Sequence, residues 1–278
     1  MHIDQESKTN INEQYLLEKF PQPLRVMLWA WSRWLSQLST EETTQQAVQS
    51  LDVSLAKTNA VVFFDHQIPF DVTPAALAIS RHITNAEQVL APYASYLEMG
   101  VKDDGNKHLY FQLRSALFTW INNQITSEKD KIILLPVVRS FEARNQHMRE
   151  IVKEKYRESN ANYLHALQEF FLEGKKSGKV CFLAPMAGLA KPNKAELNPN
   201  VYASLTTVQS QLSEPLSVYV VGAYPKPIIP GVPASQSVRI APAMHRYTTY
   251  VSGPYELPDN DYQGATEVVE SALSQTRK

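Results

Sequence analysis

Four short apolar runs punctuate the chain. Residues 60–64 (AVVFF), 131–138 (KIILLPVV), 180–184 (VCFLA) and 217–223 (SVYVVGA) are nearly continuous and rich in β-branched or aromatic residues. A strand without polar alternation has both faces covered, as in a parallel sheet. Between these runs, apolar positions recur every three or four residues, the period of helices packed by one face. Residues 15–55 read as two helices, the second over about 40–57, with Thr40 as cap and Glu41 and Glu42 in its first turn. Thr73 and Pro74 suit the cap and first position of a helix reaching about His82. Residues 85–127 read as mostly helical, broken by a turn at 102–106, and 145–173 as one long or two abutting helices closed by Gly174. Later strands are expected at 238–240 and 247–251, and a last helix at 265–275. Strands alternating with helices predict an α/β fold. Its sheet is central, mixed and largely parallel, flanked by helices. A small N-terminal helical region, residues 1–55, precedes an α/β domain over 56–278.

Composition narrows the function classes. The 278 residues carry a formal charge of −1, with 44% hydrophobic and 20% charged residues. A core is feasible, and the basic excess of a general nucleic-acid binder is missing. The one cysteine, Cys181, lies inside a strand pattern and reads as a core thiol, so neither an intrachain disulfide nor a thiolate metal cluster is expected. The nine glycines form neither GxGxxG nor a P-loop, and no GxSxG elbow is present. His82, His108, His147, His165 and His245 show no metal spacing, so no metal is expected. The opening residues lack a basic segment followed by an apolar one, and no run approaches membrane-spanning length, so neither a secretory signal nor a transmembrane helix is expected.

One segment points toward lipid. In residues 24–38, Leu24, Met27, Leu28, Trp31, Leu35 and Leu38 share a helical face. Three of the four tryptophans lie here, and Lys19, Arg25 and Arg33 have no acid among them between Glu18 and Glu41. This reads either as an ordinary helix packed on its own domain or as an interfacial helix in peripheral contact with a membrane.

The sharpest chemical constellation is His66 with Asp71, in the loop after the first buried strand. A neutral imidazole can take a proton from an attacking hydroxyl, and a carboxylate on its other nitrogen fixes tautomer and orientation. The alternative is structural: Asp71 caps the following helix and His66 is a loop residue. A charge asymmetry accompanies the pair. Residues 139–194 hold eleven basic and six acidic side chains, a local +5 suited to an anionic substrate. Within it, Glu150 with Lys153 and Glu154 with Arg157 read as a solvated helix face.

Asp65, His66 and Asp71 together resemble the first block, NHxxxxD, of the glycerophospholipid acyltransferase family, with Asp65 in the place of the leading Asn. Residues 135–141 (LPVVRSF) look like its second block, and 182–192 (FLAPMAGLAKP) like its third. The third block is closer to the soluble plastid-type glycerol-3-phosphate acyltransferases than to the bacterial FPEGTR form. Val220, Val221 and Gly222 stand where a fourth block would be, so the resemblance covers roughly residues 58–225. It departs in the third block, where Met186, Leu189 and Lys191 replace the usual acidic or small residue and arginines. Lysine offers a point charge where arginine offers a planar fork.

The resemblance implies an acyltransferase moving a fatty acyl group from acyl-CoA or acyl-carrier protein to glycerol-3-phosphate or a lysophospholipid such as lysophosphatidate. His66 would be the general base and Asp71 its orienting partner. Arg139 and Lys191 would hold the acceptor phosphate. Backbone N–H groups near Gly188 or near the Pro74 helix start would stabilise the oxyanion. No cofactor is implied beyond the thioester co-substrate. The setting would be cytoplasmic or an organelle stroma, peripheral at a membrane if residues 24–38 dock there. Two other readings stand beside it: a non-catalytic relative that binds lipid or a partner, and a hydrolase in which His66 activates water.

Overall fold

The computed structural model describes residues 11, 13–65, 72–94, 109–125, 131–137, 163–174, 176–185, 197–226 and 245–277. Among them are eight helices: α1 (Glu13–Glu18), α2 (Gln22–Leu35), α3 (Glu42–Leu55), α4 (Val72–Ser80), α5 (Leu109–Ile125), α6 (Tyr163–Leu172), α7 (Pro199–Gln209) and α8 (Tyr262–Thr276). Seven strands are β1 (Ser36–Leu38), β2 (Ala60–Phe64), β3 (Gln88–Ala94), β4 (Ile132–Val137), β5 (Lys179–Leu183), β6 (Ser217–Pro225) and β7 (Tyr247–Tyr255). They form one sheet in the order β1-β7-β6-β2-β5-β3-β4. β6, β2, β5, β3 and β4 are parallel, while β7 pairs antiparallel with β6 and β1 runs with β7. The predicted α/β class, with a mixed and mostly parallel sheet flanked by helices and an N-terminal helical region, is the fold observed.

Alternate residues of each central strand enter two different cores. Ala60, Val62, Phe64, Val180, Tyr219 and Val221 pack with α3 and α4 through Leu51, Leu55, Ala75 and Ile79, and Tyr15 and Leu35 join from α1 and α2. Val61, Phe63, Cys181, Leu183, Val218 and Val220 face the other way, onto α6, α7 and α8 through Leu167, Phe171, Leu205 and Leu273. Helix α5 belongs to the first layer. Its Phe118 ring lies 5.1 Å from that of Tyr93, and Tyr93 shares strand parity with Val89 of the first core. From β2 to β3 to β4 the chain steps one way across the sheet. From β4 to β5 to β6 it steps back, and the connecting helices change face as right-handed crossovers demand.

Several boundaries differ from the sequence reading. The tryptophan-rich helix ends at Leu35, and Ser36–Leu38 becomes a strand on β7 instead of helix continuing to Leu38. Arg81 secures that change by donating to the carbonyls of Ser32 and Ser36 at 2.6 and 2.7 Å. Within the stretch read as mostly helical, residues 88–94 form β3. Pro92 is tolerated in this strand because β3 pairs with β5 only through Leu90, so its missing N–H breaks no ladder on that side. Pro136 lies in the edge strand β4. Helix α4 starts at Val72, two residues early, and Pro74 occupies its first turn, where the N–H groups lack partners within the helix. Helix α7, which the sequence reading left unassigned, is capped by the Asn198 side chain accepting from the Asn200 N–H at 2.9 Å. The strand expected at 238–240 lies outside the described residues.

Candidate functional site

The five parallel strands share one carboxyl edge, and in open α/β sheets ligands bind at that edge where successive connections diverge. Here the divergence falls between the neighbours β2 and β5. The chain after β2 reaches α4 on the first face, and the chain after β5 reaches α7 on the second. The two connections therefore part around the carboxyl ends of adjacent strands. The base of the second is closed, because the Asn198 N–H donates to the Pro185 carbonyl at 2.7 Å. Residues 186–196 thus leave and rejoin the described chain at one place.

At the tip of β2 lies a buried ion pair. The Asp65 N–H continues the ladder by donating to the Val221 carbonyl at 2.8 Å. Its carboxylate, wholly buried, accepts Arg277 Nε and Nη2 at 2.9 Å each and the Tyr224 hydroxyl at 2.7 Å. The parallel fork of two guanidinium hydrogen bonds is the strongest carboxylate pairing available to a side chain. Gly222 makes room for the third partner. It shares a face with Tyr224 two residues on, and a Cβ at Gly222 would lie 2.4 Å from the Tyr224 hydroxyl. Burial first, and then the adjoining Asp65 carboxylate, push the Tyr224 phenol well above its ordinary value. With all three donors engaged, Asp65 anchors the strand end that residues 66–71 follow.

His66, Asp71, Arg139, Gly188 and Lys191 all lie outside the described residues. Their described neighbours set the frame. Asp65 and Val72 flank His66 and Asp71, and Pro185 precedes the segment containing Gly188 and Lys191 on the adjoining strand. Arg139 follows β4, which is three strands from β2. At ordinary strand spacing that is about 14 Å.

The Arg277 and Tyr224 partners of Asp65 went unread in the sequence. Gly222-x-Tyr224 alternation carried a weak trace of the second; Arg277, 212 positions from Asp65, carried none. His245, also buried, precedes β7 at the same edge of β6, where the Lys226 N–H donates to the Arg246 carbonyl at 2.7 Å. Cys181 is buried in β5, and burial pushes its thiol far above the ordinary range, which leaves it a core residue. Lys179, buried at the opposite end of the same strand, donates its ammonium to the Glu173 carbonyl; burial lowers its pKa and Glu173 partly offsets this. An open depression of about 430 Å³ lined by Gln209, Leu216, Leu257 and Asp259 also belongs to that opposite edge, away from the strand ends just described.

Set against protein-family models and against curated proteins, the chain matches none of them. No helix among the described residues is long and apolar enough to cross a membrane.

Proposed function

We propose that this protein is an acyltransferase that moves a fatty acyl group from an acyl thioester to a hydroxyl of glycerol-3-phosphate or a lysophospholipid. One observation carries the reading. The H-x-x-x-x-D segment departs from the pinned end of the central strand β2, beside the strand from which the 186–196 segment departs to the opposite face. Such a divergence is where α/β sheets bind substrates.

In this mechanism His66 accepts the proton of the acceptor hydroxyl while that oxygen attacks the thioester carbonyl. Asp71 holds the imidazole and favours the imidazolium that forms. Negative charge develops on the carbonyl oxygen, and backbone N–H groups at the start of α4 or near Gly188 stabilise it. Collapse of the tetrahedral adduct breaks the carbon–sulfur bond, and the departing thiolate takes the proton back from His66. The reacting thioester needs no further activation. Lys191 is better supported than Arg139 as the acceptor-phosphate residue, since its segment follows β5, the neighbour of β2, whereas that of Arg139 follows β4, three strands from β2.

The test is thiol release from long-chain acyl-CoA and from acyl-carrier protein, each with glycerol-3-phosphate, with lysophosphatidate and without acceptor. Acceptor-dependent release that vanishes in a folded His66→Ala variant is the expected result. Release without acceptor, still dependent on His66, identifies a hydrolase. No release from any donor by folded wild-type protein identifies a non-catalytic binding protein, the reading to which the departures at Met186, Leu189 and Lys191 lend weight.

A further inference from the structure

Of the twelve large apolar side chains exposed among the described residues, eight lie on two helices. Helix α2 exposes Val26, Met27, Trp29 and Trp34, and α5 exposes Leu109, Leu113, Leu117 and Trp120. This is a different face of α2 from the one its sequence pattern singled out. Trp31 and Leu35 pack inward against the first core, while Met27 is 67% exposed. The α5 residues follow i, i+4, i+8, i+11 spacing and so form one continuous stripe.

The turn that leads into α2 packs on α5: the Phe20 ring, two residues before α2, comes within 5.6 Å of Trp120. Cations gather at that junction. Arg25 donates to the Phe20 carbonyl, and the Lys19 and Lys131 ammonium groups lie 4.4 and 5.1 Å from the centre of the Tyr15 ring. Farther along α2, Arg33 lies over the Trp29 ring at 5.2 Å. Neither helix contains an aspartate or a glutamate, and together they hold three arginines and all four tryptophans of a chain whose net charge is −1.

From this juxtaposition we propose that the α2–α5 face docks on an anionic phospholipid bilayer surface. Exposed leucines and tryptophans enter the headgroup boundary, and the surrounding cations meet lipid phosphates. A second copy of the chain is the poorer occupant, because a self-complementary contact would set these cations against their own kind. The inference does not depend on acyl transfer and reaches beyond residues 24–38, since half of the surface comes from α5.

The experiment is co-sedimentation of the full chain with phosphatidylcholine vesicles and with phosphatidylcholine vesicles containing phosphatidylglycerol. Tryptophan emission is recorded in parallel, all four indoles being on the two docking helices. Two double variants, Trp29→Gln with Trp34→Gln and Leu113→Gln with Leu117→Gln, alter exposed positions only, and circular dichroism checks their fold. The expected result is binding to the anionic vesicles that weakens with salt, a blue shift on binding, and about tenfold weaker partitioning for each double variant. Absence of binding to anionic vesicles with unchanged emission overturns the proposal. So does binding that both double variants leave intact. Concentration-dependent self-association abolished by the same variants overturns it in favour of a second copy.

Discussion

The two helical layers of this molecule use similar residues to opposite ends. Helices α6, α7 and α8 bury their apolar stripes against one side of the sheet: Leu167, Phe170 and Phe171, then Val201, Leu205 and Val208, then Val269, Ala272 and Leu273. On the other side, α3 and α4 do the same, but α2 and α5 retain eight large apolar residues in solvent. A helix over a central sheet needs one apolar face, and α6 exceeds that only at its last residue, Leu172. Helix α5 has apolar residues on more sides than the sheet can cover, and its surplus becomes surface. An apolar residue on a helix therefore reports burial only when its neighbours leave one face to bury.

Substitutions can break this contrast at graded strength. Phe171→Ala, in the fully packed layer, should cost about 3–5 kcal/mol by removing a buried ring and leaving a cavity, read from the urea midpoint. Arg277→Ala comes next. It leaves the buried Asp65 carboxylate with Tyr224 but without its counter-charge, and about 3 kcal/mol should be lost at neutral pH. Arg277→Lys should recover only part, since a lysine cannot reproduce the fork. Tyr224→Phe should cost about 2 kcal/mol for one hydrogen bond to a charged acceptor.

That variant also has a pH signature. The folded state raises the Tyr224 pKa above the unfolded value of 10.0, so the contribution is complete below pH 10 and is lost as pH climbs toward the folded value. The stability gap between wild type and Tyr224→Phe should narrow above pH 10; a gap that widens there contradicts the assignment. Smallest of all, Leu113→Ser on α5 should change stability by less than about 0.5 kcal/mol. A loss comparable to that of Phe171→Ala would mean that the α5 stripe is core and would erase the contrast.

How much of this was legible in the chain depends on the range of the interaction. β2, β4, β5 and β6 declared themselves as uninterrupted apolar runs, because a strand covered on both faces has no polar side to show. β3 did not, since Pro92 masks a strand whose second half has a ladder on one side only. For the candidate site, the sequence located His66 and Asp71 after β2, and the sheet order shows that residues 186–196 follow its neighbour β5 while Arg139 follows β4, three strands from β2. The Asp65–Arg277 pair had no local signature at all.

Sequence alone determined the α/β class, the central strands and the position of the H-x-x-x-x-D block after one of them. All of these follow from near-neighbour patterns: residue type, period and the spacing of turns. Tertiary structure decided the strand order, the reversal of β7 and β1, and which side of α2 faces the core. It also decided that Asp65 is an anchor locked by Arg277 and Tyr224. These depend on which distant surfaces meet, and a helix with apolar residues on several sides, or a carboxylate awaiting a partner 212 residues away, carries no local rule for choosing.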